Sequence, residues 1–572
     1  MAFLTGWAAT WVVGVVLVAL FLQSALRKSG ITRGGAPLRT PPNTLPLVGN
    51  GILFLQARQK LFSWFAKCER IFGHETFELY VPSLPPGVVI NDPVNLDHVF
   101  KNEAIFSKGD FVKKPLWDLF GHGIINSDGE LWKIQRRAGL AFLNTKNLQV
   151  LTDVALPQYL AQSVEFLKSR SRDVREADLQ SVFHEITTQL MGKLAYNMEM
   201  HADDDFTLAF DYASGAAAER VQNPLWRATE VFFGARLRKS ISIVKTYGKQ
   251  IVDNAIRDRE RAAAKGTSPG RPSAADSDEK LDKISGSLIQ SLLDAIGDRG
   301  IVADSALNYL SAGILAHPPH GLQQEPDANQ HAQTHPGRDT TAQALTWTFH
   351  LLMHHRYTLA KIRQEVQQAL ETQRGGASSS SSSSLSSSAA DTTPTLPVDP
   401  TLFTPASMPY TLAIFNESLR LYPPIPFEIK QAMSPTTLPD GTFLPAGAVV
   451  VWCPWAMNRS RLTWGEDADE FRPERWLVAG GGGDKAAAVM QRSASEFPVF
   501  NGGARLCLGK RMAELIAVQV IATVAWTFEF VPAYEGRERK SKSSLTLPMD
   551  GGLPVFVKVR SRGGRDDDGL VP

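Results

Sequence analysis

The chain has 572 residues, 21% of them charged and 43% hydrophobic, with a formal net charge of +2. That balance argues for an ordinary globular core and gives no electrostatic footprint for a nucleic-acid partner. Three cysteines, at 68, 453 and 507, are too few for a disulfide framework and fit a domain facing a reducing compartment.

The first 26 residues carry no charged side chain, Trp11 to Leu22 is almost wholly apolar, and Arg27 and Lys28 follow at once. A run of that length can span a bilayer, and positive charge behind it predicts that the body lies in the cytosol. Residues 1–28 are therefore expected to form a transmembrane anchor; a cleaved secretory signal would need a basic segment before the apolar run. Pro37, Pro41, Pro42 and Pro46 make 29–54 a stiff, proline-rich hinge. From 55 to 572 the pattern is mostly long amphipathic helices with a minority of short strands, a mainly α, α+β domain.

Within that domain Phe111, Trp117 and Phe120 supply apolar surface in a stretch, 111–123, that reads as a loop. Trp132 and Arg136 stand four apart and share one face of a helix. Residues 262–283 look like an exposed loop. Ala303 to Ala312 is helical, but 313–336 holds four prolines and four histidines and cannot continue the helix. A second helix opens at Gly337-Arg338-Asp339-Thr340-Thr341, with Ala342, Leu345, Phe349 and Leu352 on one face. In isolation Asp339-Thr340 would pass for a helix cap. The serine-rich stretch 375–400 is expected to be a disordered insertion, and Gly480 to Gly483 a smaller one. Tyr410 to Leu421 has helical apolar spacing and ends at Pro423-Pro424. Its Glu417 and Arg420, three apart, would by themselves be a solvated ion pair of little consequence.

The most informative stretch is Phe500-Asn501-Gly502-Gly503-Ala504-Arg505-Leu506-Cys507-Leu508-Gly509, followed by apolar residues at helical spacing. A lone cysteine is more often a buried structural one. Here the cysteine lies between glycines, after an arginine and ahead of a helix N-terminus, where the partial positive charge favours an ionised sulfur. Gly503 and Gly509 would let the backbone pass close under a flat cofactor, and Arg505 offers a fork of donors to a carboxylate. The setting suits a thiolate bound to haem iron. The full F-x-x-G-x-R-x-C-x-G pattern resembles the cysteine-ligand loop of the cytochrome P450 monooxygenases.

That resemblance implies the family's fold behind one transmembrane helix, haem b as cofactor, and Cys507 as the axial ligand to the iron. It places Trp132, Arg136 and Arg505 on the haem propionates, with Lys430 a further contact of the same kind, and Phe500 and Gly503 beside the haem. Glu417 and Arg420 resemble the family's E-x-x-R helix, which would join Arg475 in Phe471-Arg472-Pro473-Glu474-Arg475-Trp476 as scaffolding. Gly337 to Thr341 is similar to the A-G-x-D-T-T segment, in which Asp339 and Thr340 would relay protons to dioxygen. No nucleotide- or flavin-binding fingerprint is present, so electrons are expected from NADPH through a separate flavoprotein, NADPH–cytochrome P450 reductase. The basic residues Lys510, Arg511 and Arg137 are candidates to receive it. The implied location is the endoplasmic reticulum membrane, single-pass, with the catalytic domain cytosolic and a lipophilic small molecule as substrate.

Deleting 313–336 gives Leu310-Ser311-Ala312-Gly337-Arg338-Asp339-Thr340-Thr341, a smooth helix with the whole motif. The segment is 24 residues, or 72 nucleotides, an in-frame length suited to a short intron. Gly313-Ile314 can be encoded with a GTAT donor, Pro336-Gly337 with a CAG acceptor, and Ala328-Asn329 with GCTAAC as a branch point. Residues 313–336 thus read as an unspliced intron.

Asp118 to Gly129, then Trp132-x-x-Gln135-Arg136-Arg137, and Leu438 to Gly447 resemble the fatty-acid and alkane ω-hydroxylase clan of fungi and plants. The expected reaction is insertion of one oxygen atom from O2 into a C–H bond of a fatty acid or alkyl chain. The alternative is a tailoring oxygenase of a fungal secondary-metabolite pathway, acting on a polyketide, peptide or terpenoid. From other classes, a haem-thiolate isomerase or dehydratase and an inactive membrane haem protein are the competing readings.

Overall fold

The computed structural model of the protein describes residues 29–82, 84–201, 204–223, 226–264, 281, 284–313, 340–377, 396–478, 488–534, 539–542 and 544–560. The anchor 1–28, most of the loop 262–283 and most of the serine-rich insertion lie outside these residues, as do Gly480 to Gly483, 314–336 and Asp339.

Nine helices carry the argument: α1 (Arg58–Phe72), α2 (Pro93–Lys101), α3 (Gly109–Phe120), α4 (Gly129–Phe142), α5 (Asp205–Gln222), α6 (Arg299–Gly313), α7 (Thr340–His354), α8 (Pro409–Leu421) and α9 (Lys510–Thr527). From Met512 onward α9 is buried almost all round, which is why its sequence shows so little polar face. Helix α8 starts on Pro409 at its first turn, and the Glu365 carboxylate accepts the otherwise unpaired Tyr410 and Thr411 N–H groups at 2.6 and 2.9 Å. One large apolar core joins α3 through α9.

A five-stranded sheet closes one side, in the order Phe77–Leu79, Gly87–Val89, Val449–Trp452, Glu428–Ala432, Phe106–Ser107. Only the pairing of Gly87–Val89 with Val449–Trp452 is parallel. Val449 and Val451 pack on one face with Trp64, Phe65 and Phe77, whereas Val450 and Trp452 pack on the other with Phe100 and Phe106. With both faces covered, the strand is a continuous apolar run instead of an alternating one.

The structure departs from two sequence expectations. Residues 29–54, read as a hinge, are packed onto the domain: Thr32 and Arg33 pair with Phe443 and Thr442, Ile31 is buried, and Arg33 bonds to Asp440 at 3.0 Å. The stretch 111–123, read as a loop, is mostly the helix α3. The helix holds even with Pro115 inside it, because Val112, Leu116, Leu119 and Phe120 are buried.

Candidate functional site

Between α3, α4, α6, α7, α8 and the start of α9 lies a cavity of about 440 Å3. Its floor is the loop Val499 to Gly509. There the Cys507 amide donates to the Phe500 carbonyl at 2.8 Å, and Gly509 caps α9. Cys507 opens onto the cavity, so that water reaches the sulfur, but it lies deep in the protein. Burial pushes its thiol upward, against the Gly509 N–H, the Arg136 charge and the Lys510 N–H and charge. The pull expected from the helix N-terminus is therefore present and is outweighed for the free thiol. Ligation to a cation is what deprotonates such a sulfur. Cys68 and Cys453 are wholly buried, and burial raises both to about 12.

Along one edge of the cavity the cations gather. Arg505 donates to Glu103 and Asp128, both at 2.6 Å, and to the Ser127 carbonyl at 3.1 Å. Lys430 meets Glu103 at 2.6 Å, and Lys113 meets Asp128 at 2.5 Å. Among the described residues Arg136 bonds only to the Leu506 carbonyl, at 2.9 Å. The Trp132 ring lies between the two arginines, its centroid 4.2 Å from the Arg505 guanidinium and 5.5 Å from that of Arg136. Four cations thus face two carboxylates, leaving two positive charges at this edge.

Thr340 and Thr341, at the start of α7, line the wall, as do Tyr309 of α6 and Phe500 of the loop. The Tyr309 hydroxyl donates to the Gln135 carbonyl at 2.6 Å, tying α6 to α4. Val112, Leu116 and Phe120, four apart on α3, make one apolar wall; Phe415 and Leu419 of α8 make another. Of Phe111, Trp117 and Phe120, the aromatics named in 111–123, only Phe120 reaches the cavity. Phe111 is half-buried against the core, and Trp117 is exposed against His122.

The residues fit a haem. A flat, largely apolar ring with two carboxylates at one edge meets apolar walls, a thiol below and two unneutralised positive charges beside it. Cys507, Trp132, Arg136, Arg505, Lys430 and Phe500 all lie around that space. Gly503 does not line it. With φ +57°, its missing Cβ faces the Phe100 carbonyl of α2, where a side chain would collide. Its smallness serves the packing of α2 on the loop, not a cofactor.

Behind the loop the structure brings Glu417, Arg420 and Arg475 together. Glu417 accepts from Arg420 Nε and Nη2 at 2.8 and 2.9 Å, from Arg475 Nε at 3.0 Å, from the Arg472 amide at 2.8 Å and from the Trp476 indole at 2.9 Å. Arg420 also donates to the carbonyls of Asn458, Ala468 and Glu470. Glu417 and Arg420 are fully buried, so this is no solvated surface pair. Glu417→Ala leaves the buried Arg420 charge without its carboxylate, while Arg475 keeps Asp467 at 3.1 Å, and a loss of about 3–5 kcal/mol is expected. That is a large share of a stability of about 5–15 kcal/mol. The measurement is the denaturant midpoint, with Glu417→Gln losing less because it keeps the shape and part of the hydrogen bonding.

Arg58, Met191, Ala218, Val221, Phe427, Leu545 and Thr546 also line the cavity. Sequence reasoning missed them, and none left a signal: Arg58 is followed by Gln59 and Lys60, an ordinary polar start to a helix.

The sequence matches the family model described as Cytochrome P450 over residues 40–306 and 328–553. It is 26% identical over 536 residues to cytochrome P450 94A1 of Vicia sativa, covering 91% of each chain. It is 28% identical over 545 residues to cytochrome P450 CYP94D108 of Paris polyphylla, covering 92% of this chain and 94% of that one. Over 554 residues it is 27% identical to cytochrome P450 704B1 of Arabidopsis thaliana, covering 92% and 97%. These relatives are plant proteins and lend nothing to the fungal origin suggested by the motifs. The family match breaks between 306 and 328, a stretch that overlaps the segment 313–336.

Proposed function

The chain belongs to the cytochrome P450 family, and from that premise we propose that its monooxygenase chemistry acts on a long-chain fatty acid or alkyl chain. The observation that carries this reading is the apolar wall of Val112, Leu116, Phe120, Phe415 and Leu419 leading to Cys507. It suits an alkyl chain that has few polar groups to satisfy. The motifs shared with the ω-hydroxylase clan point the same way.

Haem held by a cysteine thiolate supplies the activation of dioxygen. The chain's own residues do the rest. Arg136, Arg505 and Lys430 would neutralise the carboxylates at the cofactor's edge, and the stacked Trp132 ring fixes the two arginines. The apolar walls exclude water and hold the C–H bond. Thr340, with Asp339 before it in sequence, would hand on protons. The balanced reaction inserts one oxygen atom into C–H and releases the other as water, consuming two electrons and two protons.

The electrons are assigned to NADPH by way of a flavoprotein reductase. The exposed Arg137 and Arg511, which make no ion pair among the described residues, are the proposed docking charges. We place the protein on the endoplasmic reticulum membrane with its catalytic domain in the cytosol. The uncharged N-terminal 26 residues support this, and so do Val231, Phe232 and Phe233, which are 70%, 80% and 83% exposed. Among the described residues no helix is long and apolar enough to cross a membrane.

The test is reconstitution of the full chain with reductase, NADPH and hexadecanoate or hexadecane, with products read by mass spectrometry. The expected product is a hydroxylated chain formed only with NADPH. Absence of any such product, from the chain with 313–336 present or removed, would sink the substrate assignment.

A further inference from the structure

Arg58 opens α1 and reaches the cavity wall. Its side chain is 5% exposed, and its Nε and Nη1 atoms are buried with no hydrogen-bond partner among the described residues. Five cations line the cavity among the described residues. Lys108, Lys430 and Arg505 are paired with Glu428, Glu103 and Asp128. Arg136 donates to a carbonyl beside the cysteine. Arg58 has none of these. It rests over the Phe427 ring, 5.2 Å from the centroid. The exposed Glu219 of α5 acts on it only through space, and no ion pair joins them. Burial pulls its guanidinium down to about 10 even with Glu219 acting the other way.

Two terms disfavour this placement. A buried guanidinium without hydrogen bonds loses its hydration for nothing. Set in the first turn of a helix, its charge also meets the positive end of the peptide dipoles. An anion at Arg58 would relieve both. The cavity it reaches has apolar walls, among them Leu116, Val221 and Ile429, with the Phe427 ring beneath Arg58 itself. The ligand that matches both features is an anion carrying a long apolar tail.

We propose that Arg58 binds the carboxylate of an amphiphilic acid substrate, whose alkyl chain then runs along the apolar wall toward Cys507. This inference rests on the fatty-acid reading and narrows it: the acid is preferred over the alkane or the ester. It also orients the chain, with the charged end held at Arg58 and oxidation directed to carbons away from it. A carboxylate of the haem itself is the other source of such an anion. That group already has the two unneutralised charges at the Arg505 edge.

The test uses the full chain as wild type, Arg58→Met and Arg58→Lys. Equilibrium dialysis measures binding of labelled hexadecanoate and of methyl hexadecanoate, and haem content is read in parallel. Arg58→Met is expected to weaken hexadecanoate by roughly ten- to a hundredfold, the effect of losing a charged hydrogen bond. Arg58→Lys should restore much of it, the ester should bind all three proteins alike, and haem content should not change. Ligand-free Arg58→Met should unfold at the same or a higher temperature, because an uncompensated charge has been removed; a merely structural arginine would give a fall. Equal weakening of acid and ester, unchanged binding of the acid, or loss of haem from Arg58→Met each overturns the inference while leaving the fatty-acid reading in place. Wild-type protein that holds neither ligand overturns that reading and this inference together.

Discussion

Cys507→Ser is expected to give a folded protein that oxidises no substrate. The fold survives because little of it depends on the sulfur. The bond from the Cys507 amide to the Phe500 carbonyl is a backbone one, and the side chain opens onto the cavity instead of filling a core. The activity does not survive, since the thiolate is what favours O–O cleavage in a haem held this way. The cationic edge of Arg136, Arg505 and Lys430 is untouched, so haem can still be drawn in, with a changed spectrum. The comparison that gives the result meaning is Cys453→Ser. Cys453 is fully buried, its Sγ is 3.2 Å from the Pro426 carbonyl, and its replacement should lower stability while leaving turnover per folded molecule near normal. Thermal unfolding and NADPH-dependent product formation on both variants separate the two roles. If Cys507→Ser retained turnover, or if it unfolded as Cys453→Ser does, the sulfur would be structural.

What could be read from sequence was local. The Cys507 loop was legible because it is a short run of unusual residues, whereas Glu417/Arg420 alone read as a solvated pair and took their role from the resemblance; the five hydrogen bonds at Glu417 show why the pair is buried when surface pairs of the same spacing are not. That Trp132 and Arg136 share one helix face followed from spacing, but that this face meets the cavity was implied only by the family resemblance. What was not legible depends on residues far apart in the chain. Glu103 and Asp128, which occupy Arg505, are 402 and 377 positions from it. Gly503 was assigned to a cofactor because nothing in sequence shows that Phe100 stands against it. The helix around Pro115 was taken for a loop because its stability comes from tertiary burial, which overrides a local breaker. Arg58 was missed for a related reason. An arginine near a helix start is ordinary on a surface, and only its burial without a partner gives it meaning.

Removing residues 313–336 is expected to turn a poorly active chain into a fully active one, with higher haem content and NADPH-dependent turnover. Helical register is the reason. Tyr309 on α6 and Thr340, Thr341 and Ala344 on α7 line the same cavity, and the two helices touch. With the segment removed, Ala312 meets Gly337, and Thr340, Thr341 and Ala344 become the seventh, eighth and eleventh residues after Tyr309. Those intervals put all four on one face of a continuous helix. An unrelated pair of helices would match that stripe only by accident. The junction also brings Asp339 and Thr340 into an uninterrupted helical turn beside the cavity, where a proton relay needs fixed geometry. The four prolines of the segment forbid the same continuity when it is present, and the family match falls silent over much of it. Two measurements decide the matter. Transcripts from expressing cells should lack the 72 nucleotides, and the shortened protein should bind haem and turn over faster than the long one. Transcripts that keep the codons, together with a long form as active as the shortened one, would mean that the helix accommodates an insertion at Gly313 and that the segment belongs to the working enzyme.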